Sequence, residues 1–359
     1  MNQIAAIVLC VVALNSCRDR GSDKSSAKSQ AGQADDSIRA TIEVIKPVNL
    51  DAINTSWQTG RKISETSNTV TVEIAVMPFK NLSAGVVPNS NWRQENAANS
   101  ELVQYLKPGA TSNWDEAMKI ELLALLKADG IDSSALNDLD LVQSVSNWIM
   151  KSPGRFQHKS FFIPFYVSFA SGTPTVVQDL RQPFDAEKTK AGYSSDAEAM
   201  QEGLFGKSMF QKRWHGDCTS TAILQSTILK ALGIPTRLVV SIPIVDFNDP
   251  TELDLVRHQI QNADAKQAIL SFSERSKGSW ASHTFNEVYI GRQWVRLNYN
   301  RIGQGVVDND FLGVMVQVER AADWSEMGLA TWALHVIAKT PTKLASVNPY
   351  RTLSLSDKL

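Results

Sequence analysis

The sequence has little cysteine: three in 359 residues, at positions 10, 17 and 218. It has almost no excess charge of either sign, with 36 Lys and Arg against 37 Asp and Glu, a formal net charge of -1. A chain without a net field does not draw phosphate backbones by charge, so nucleic acid is excluded as an expected partner. It has only five histidines, and none of them is spaced with cysteine or carboxylates as metal ligands are. The acidic stretch 246–252 lacks the glycine and spacing of a calcium loop and reads as a solvated turn. No cofactor or metal is therefore expected. Internal repeats are also missing. What remains is an ordinary globular composition, 43% hydrophobic, long enough for a sizeable core and about two domains.

The N-terminus carries Met1-Asn2-Gln3, an apolar run over 4–14, then Asn15-Ser16-Cys17 and polar Arg18-Asp19-Arg20. The run is shorter than the about 20 residues that cross a bilayer, and it has the length of a signal-peptide core. Leu14-Asn15-Ser16-Cys17 resembles the lipobox of bacterial lipoproteins. That resemblance implies a signal peptide over 1–17, lipidation of Cys17, and a protein anchored by that lipid to the bacterial cell envelope, periplasmic or surface-exposed. A plain cleaved signal peptide is the alternative. Residues 18–38 are small and polar, with almost nothing apolar to fold around, and read as a flexible linker. On this reading Cys10 leaves with the signal, Cys17 carries lipid, and Cys218 is the one thiol of the folded body. No disulfide framework is then available, and an exported protein with one unpaired thiol raises the question of what the thiol does.

Residues 39–108 are expected to form a β-rich N-terminal region, since Thr41-Ile42-Glu43-Val44-Ile45 alternates and 69–76 is dense in β-branched residues. After Lys107-Pro108-Gly109 the apolar period changes. Asn113 is a candidate cap for a helix carrying Ala117, Ile120, Leu122, Leu123 and Leu126 that Gly130 closes. A second helix is expected through Leu139, Leu141, Val142, Val145, Trp148 and Ile149, stopping at Ser152-Pro153-Gly154. A buried strand is expected over 161–169 and a short helix over 196–202.

Two stretches carry chemistry. The first runs from Trp214-His215-Gly216-Asp217-Cys218 through Ile223, Leu224, Ile228 and Leu229 to Gly233-Ile234-Pro235. Asp217 is a good N-cap and Gly233 a good C-terminal cap, which puts Cys218 on the first turn of a buried helix. Unpaired N–H groups and the positive dipole end favour a thiolate there, and the same N–H groups can stabilise an oxyanion. Alone this is weak, because free cysteines are mostly small buried hydrophobes.

The second is a hairpin signal, in which 282–290 and 293–299 flank Gly291-Arg292. Glycine at the first central position suits a two-residue type II′ turn pairing Ile290 with Gln293. Counting back, His283 and Asn298 become diagonal neighbours on one face, about 7–8 Å apart at the backbone. Asn300 lies on the same face as a fallback.

Gly-Asp-Cys at the head of a helix ending Ala-Leu-Gly-Ile-Pro-Thr-Arg, then His-Thr-Phe-Asn-Glu-Val-Tyr and Trp-Val-Arg-Leu-Asn, is similar to the core of the transglutaminase-like superfamily. The resemblance covers roughly 110–330. It implies an α+β, papain-like fold in which a cysteine-bearing helix packs on an antiparallel sheet bearing the histidine, here within a domain over 109–359. It implies Cys218 as nucleophile and His283 as base. Where the family has Asp this chain has Asn298, whose amide oxygen can accept from the histidine Nδ1–H but supplies no charge. Trp214, with an indole that only donates, is a candidate oxyanion partner, and a core or substrate-stacking role is its alternative. The activity implied is attack on an amide of a protein or peptide substrate through a thioacyl-enzyme, as a cysteine peptidase, amidase or acyltransferase. A catalytically inactive binding or scaffold module anchored to the envelope is the rival.

Overall fold

The computed structural model describes residues 38–45, 54–55, 58–67, 69–76, 86–159, 165–168, 175–179, 203–216, 218–243, 283–302, 315–326, 336–340 and 350–354. The signal segment, most of the linker, the helix expected over 196–202, the acidic stretch 246–252 and the cap Asp217 lie outside them.

The N-terminal strands β1 (Ile38–Ile45), β2 (Gln58–Glu65) and β3 (Thr69–Val76) pair antiparallel. In β3, Val70, Val72 and Ile74 are buried while the residues between them are half-exposed, the two-residue period of a sheet with one covered face. The free edge of β1 takes β13 (Val336–Thr340), so the sheet order is β13-β1-β3-β2. Strand character stops short of residue 106. Trp92–Ala98 is a helix, α1, whose buried Trp92 and Asn96 are one turn apart. The Trp92 indole donates to the Leu136 carbonyl at 3.2 Å, so tertiary docking decides this stretch.

Helix α2 (Glu116–Ala128) is capped by Asp115, which accepts from the Met118 N–H at 2.9 Å. The expected cap, Asn113, instead accepts from the Lys207 N–H at 3.0 Å. Asp115 directly precedes the helix, and that position alone lets a side chain reach the third N–H. The buried stripe is Met118, Leu122 and Leu126, whereas Ile120 and Leu123 face outward. Gly130, at φ +81, ends the helix with an Ile131-to-Leu126 bond of 2.8 Å. Helix α3 (Asp138–Met150) buries Leu141, Val142, Val145, Trp148 and Ile149. Two short strands, β4 (Gln157–His158) and β7 (Trp214–His215), pair in parallel. Strand β5 (Phe165–Ser168) falls inside the stretch expected to be a strand, and it pairs with β6 (Thr175–Asp179), which β14 (Tyr350–Ser354) flanks.

The centre is α5 (Cys218–Ala231), buried continuously from Ser220 to Ala231. One side packs on the antiparallel sheet β11-β10-β9-β8-β12, formed by Arg301–Ile302, Gln293–Asn298, His283–Ile290, Thr236–Pro243 and Met315–Ala321. Another meets α4 (Gly206–Lys212), close enough that a Cβ on Gly206 would sit 1.7 Å from Thr227 Oγ1. Gly233, at φ +90, closes α5, and the Ile234 N–H reaches the Leu229 carbonyl at 2.9 Å.

The β9–β10 hairpin pairs Ile290 with Gln293, as the count requires. Its turn is the type I′ form rather than II′, because both Gly291 (φ +56) and Arg292 (φ +62) are left-handed. The I′ twist matches the strands. Arg292 is held there by Glu95, at 3.0 and 2.8 Å, and the Gly291 N–H by Asp138 at 2.7 Å. Gly291→Ala is expected to lower stability by about 1–2 kcal/mol from the left-handed backbone alone. A Cβ would also stand 2.8 Å from the Val87 carbonyl oxygen. The midpoint of urea unfolding measures the loss.

Candidate active site

Cys218 is the first residue of α5, half-buried and a thiol outside any disulfide, with its sulfur 4.0 Å from Thr219 Oγ1. At this position the backbone N–H groups of the first turn lack helical partners and carry the positive end of the dipole. The chain just before it is braced: the Thr221 hydroxyl donates to the Gly216 carbonyl at 2.6 Å, and His215 Nδ1 lies 3.2 Å from that hydroxyl. Burial pushes the His215 imidazole below its ordinary range, against the Gly216 carbonyl, which favours the charged ring.

His283 opens β9 and Asn298 ends β10, and His283 Nε2 lies 2.9 Å from Asn298 Oδ1. Both residues are about 95% buried, at 5% and 4% exposure, so water does not compete for this bond. The nitrogen differs from the Nδ1 expected. A diagonal cross-strand gap of about 7–8 Å is bridged only by the far nitrogen of the ring. The chemical consequence is a tautomer: Nε2–H donates to the amide oxygen, leaving Nδ1 as the lone-pair nitrogen that can take a proton. The Phe285 and Tyr299 rings flank the imidazole, with centroids 6.2 and 5.9 Å away. Asn300 does not take the role held in reserve for it, because its side chain bonds Asn147 at 3.1 Å.

Thr219 Oγ1 and Thr284 Oγ1 meet at 3.0 Å, so the first turn of α5 touches the first residues of β9. Cys218 and His283 are the residues immediately before that pair. Further along, Asn286 Nδ2 donates to the Ala222 carbonyl at 2.9 Å and lies 3.3 Å from Gln225 Oε1. Helix and strand thus run together from a shared start. On the other face of β9, buried Glu287 pairs with Arg237 at 2.5 Å, and that guanidinium stacks 4.0 Å over the Trp294 ring.

Trp214 is buried in β7, with the Lys159 ammonium 5.3 Å from its ring. Sequence reading missed Thr219, Thr284, Asn286 and Gln225, because a polar residue inside a buried helix or strand is no signal until its partner is known. It also missed Asp323. This buried carboxylate accepts from the N–H and hydroxyl of Thr111, Ser112 and Ser325, while Lys230 Nζ reaches Ser112 Oγ at 2.9 Å and the Ala322 carbonyl. Burial pushes the Asp323 carboxyl upward, yet the Ser112, Ser325 and backbone hydrogen bonds together outweigh it and hold the group at about 2. Burial likewise brings Lys230 down to about 8, against the opposing pull of Asp323 and Glu326. Among the described residues there is no group of three or more His, Cys, Asp or Glu that could hold a metal ion.

Residues 169–299 match the family described as the transglutaminase-like superfamily. No curated protein matches the chain. Among solved structures, the chain is similar to a candidate cysteine protease from Cytophaga hutchinsonii, at 13% identity over 89% of this chain and 87% of that one, with a TM-score of 0.39. It is also similar to red sea bream transglutaminase, at 11% identity over 77% of this chain, with a TM-score of 0.27. There it spans 47% of the other chain, about half its length.

Proposed function

We propose that the protein, whose residues 169–299 match the transglutaminase-like superfamily, is a cysteine enzyme acting on amide bonds of a protein or peptide. The observation that supports it most is the buried His283–Asn298 bond on a hairpin whose first residues touch the start of the cysteine helix. Strand alternation turns Thr284 to the helix and His283 to the face of Phe285 and Asn298. The mechanism requires Cys218, at the first position of α5, to reach the imidazole around the start of the strand.

In this mechanism His283 Nδ1 takes the thiol proton, and Cys218 Sγ attacks the amide carbonyl carbon, forming a C–S bond. The oxyanion that develops is held by the Cys218 backbone N–H, with the Trp214 indole as candidate second donor. The imidazolium returns its proton to the departing amine as the C–N bond breaks, leaving a thioacyl-enzyme. Asn298 fixes the ring and its tautomer throughout. Water as second nucleophile gives a peptidase or amidase; an amine such as lysine gives an acyltransferase.

The test uses the full-length chain with Cys10 and Cys17 changed to serine, so that Cys218 is its one thiol. Native protein is expected to take up a single iodoacetamide adduct by intact mass, with a midpoint well below the about 8.5 of an ordinary thiol. Incubation with a peptide library is expected to yield new termini or new isopeptide links, and Cys218→Ala to yield neither. A thiol that labels only after denaturation would sink the enzyme reading and leave a binding or scaffold module. We further propose that Cys17 carries a lipid anchoring the protein to the cell envelope. Metabolic labelling with a radioactive fatty acid should mark the wild type and miss Cys17→Ser.

A further inference from the structure

Gln225 lies on α5 two turns beyond Cys218, about 10 Å along the helix axis, and is only 1% exposed. Its side-chain amide is used at both ends. Nε2 donates to the Tyr299 carbonyl at 2.5 Å, and Oε1 faces Asn286 Nδ2 at 3.3 Å. These partners lie on the strand that begins with His283 and on the turn directly after Asn298. One side chain therefore ties together the three elements that carry Cys218, His283 and Asn298.

The turn it grips is strained. Tyr299 has φ +54, a left-handed backbone costly for a bulky residue, so the conformation persists only where its surroundings impose it. Three side chains do so: Gln225 holds the Tyr299 carbonyl, Gln143 donates to the Asn300 carbonyl at 2.9 Å, and Asn147 accepts from the Asn300 amide at 3.1 Å. Of these, only Gln225 belongs to the cysteine helix. The Tyr299 carbonyl is one residue past Asn298, so where it is pinned fixes where the Asn298 amide points.

We infer that Gln225 is a positioning residue: it sets the Asn298 amide oxygen against His283 Nε2 and keeps both in register with the cysteine helix. The inference rests on the proposed roles of those three residues. Gln225 itself touches neither thiol nor imidazole.

The experiment uses the full-length chain with Cys10 and Cys17 as serine, and compares Gln225→Met and Gln225→Glu with the parent. The first readout is the proton signal of the His283 Nε2–H in protein labelled with ¹⁵N-histidine, assigned by its loss in His283→Ala. The second is the pH profile of Cys218 alkylation. The parent is expected to show a slowly exchanging Nε2–H. Gln225→Met is expected to lose that protection and to slow alkylation at neutral pH on the order of tenfold to a hundredfold, the effect of a misplacement of up to about 1 Å. Gln225→Glu has the same length, which safeguards the fold. Protonated, it can still donate to Tyr299; ionised, it cannot, so its Nε2–H protection is expected to fail as pH rises. If both variants keep the parent's proton signal and profile, whatever their melting temperatures, Gln225 is structural only and the inference is overturned. Should the parent thiol titrate like an ordinary one, the enzyme reading fails by itself, while the imidazole signal still decides for or against Gln225.

Discussion

Asp323→Ala is expected to cost about 3–5 kcal/mol, the range for removing one partner from a buried charged network. The reason is the number of groups orphaned at once. The N–H and hydroxyl groups of Thr111, Ser112 and Ser325 all point at this carboxylate, and Lys230 would keep its charge in a site where it is 2% exposed. Against a total stability of about 5–15 kcal/mol, the variant is left marginal. Lys230→Met is expected to cost less than half as much, since Lys230 touches Ser112 and Ala322 while the donors to Asp323 stay in place. Urea titration of the two variants checks the order; equal losses would mean that the carboxylate depends on the ammonium instead. The pH dependence has a definite sign. The folded Asp323 carboxyl lies at about 2, below its ordinary 3.8, so its contribution is present above pH 3.8 and is lost as pH falls towards 2. At about 1.4 kcal/mol per unit this amounts to about 2 kcal/mol. Lys230 acts the other way at high pH: folded it titrates at about 8 against 10.5, so its destabilising charge is relieved as pH rises between those values.

His283→Ala is expected to lower the rate of amide cleavage or transfer by about 10²–10⁴-fold, the usual worth of a positioned general base. Alkylation of Cys218 should then follow an ordinary thiol, with a midpoint near 8.5. The variant should stay folded, because His283 opens a strand whose other pairings, Thr284 with Val240 through Val288 with Thr236, do not use the ring. Asn298→Asp tests the same bond from the other side. A carboxylate in place of an amide 2.9 Å from Nε2 stabilises the imidazolium, so the alkylation midpoint is expected to move to lower pH. An unchanged midpoint in both variants would separate the thiol from the histidine and remove the basis of the proposed mechanism.

Much of the site's frame was legible because its signals are local. Gly233 ending the cysteine helix and Gly291-Arg292 fixing the hairpin register each follow from backbone rules over a few residues, and the register alone makes His283 and Asn298 diagonal neighbours. The turn type was misjudged because glycine satisfies both I′ and II′; what selects I′ is that Arg292 also adopts a left-handed backbone, held by Glu95 almost 200 positions away in the chain. The helix Trp92–Ala98 was missed because its one large apolar side chain is Trp92, which is no periodic signal until its indole docks on the Leu136 carbonyl.

The sequence by itself determined which residues could do chemistry: a thiol at a helix start, an imidazole and an amide on one face of a hairpin. These follow from capping preferences and from the two-residue period of strands, which are properties of neighbouring residues. Tertiary structure alone decided which imidazole nitrogen meets the amide, because that depends on the span between two strands. It also decided that Asp323 anchors the loop at Thr111 and Ser112, and that Gln225 links the cysteine helix to the turn after Asn298. Such bonds join residues far apart in the chain, and no local pattern encodes them.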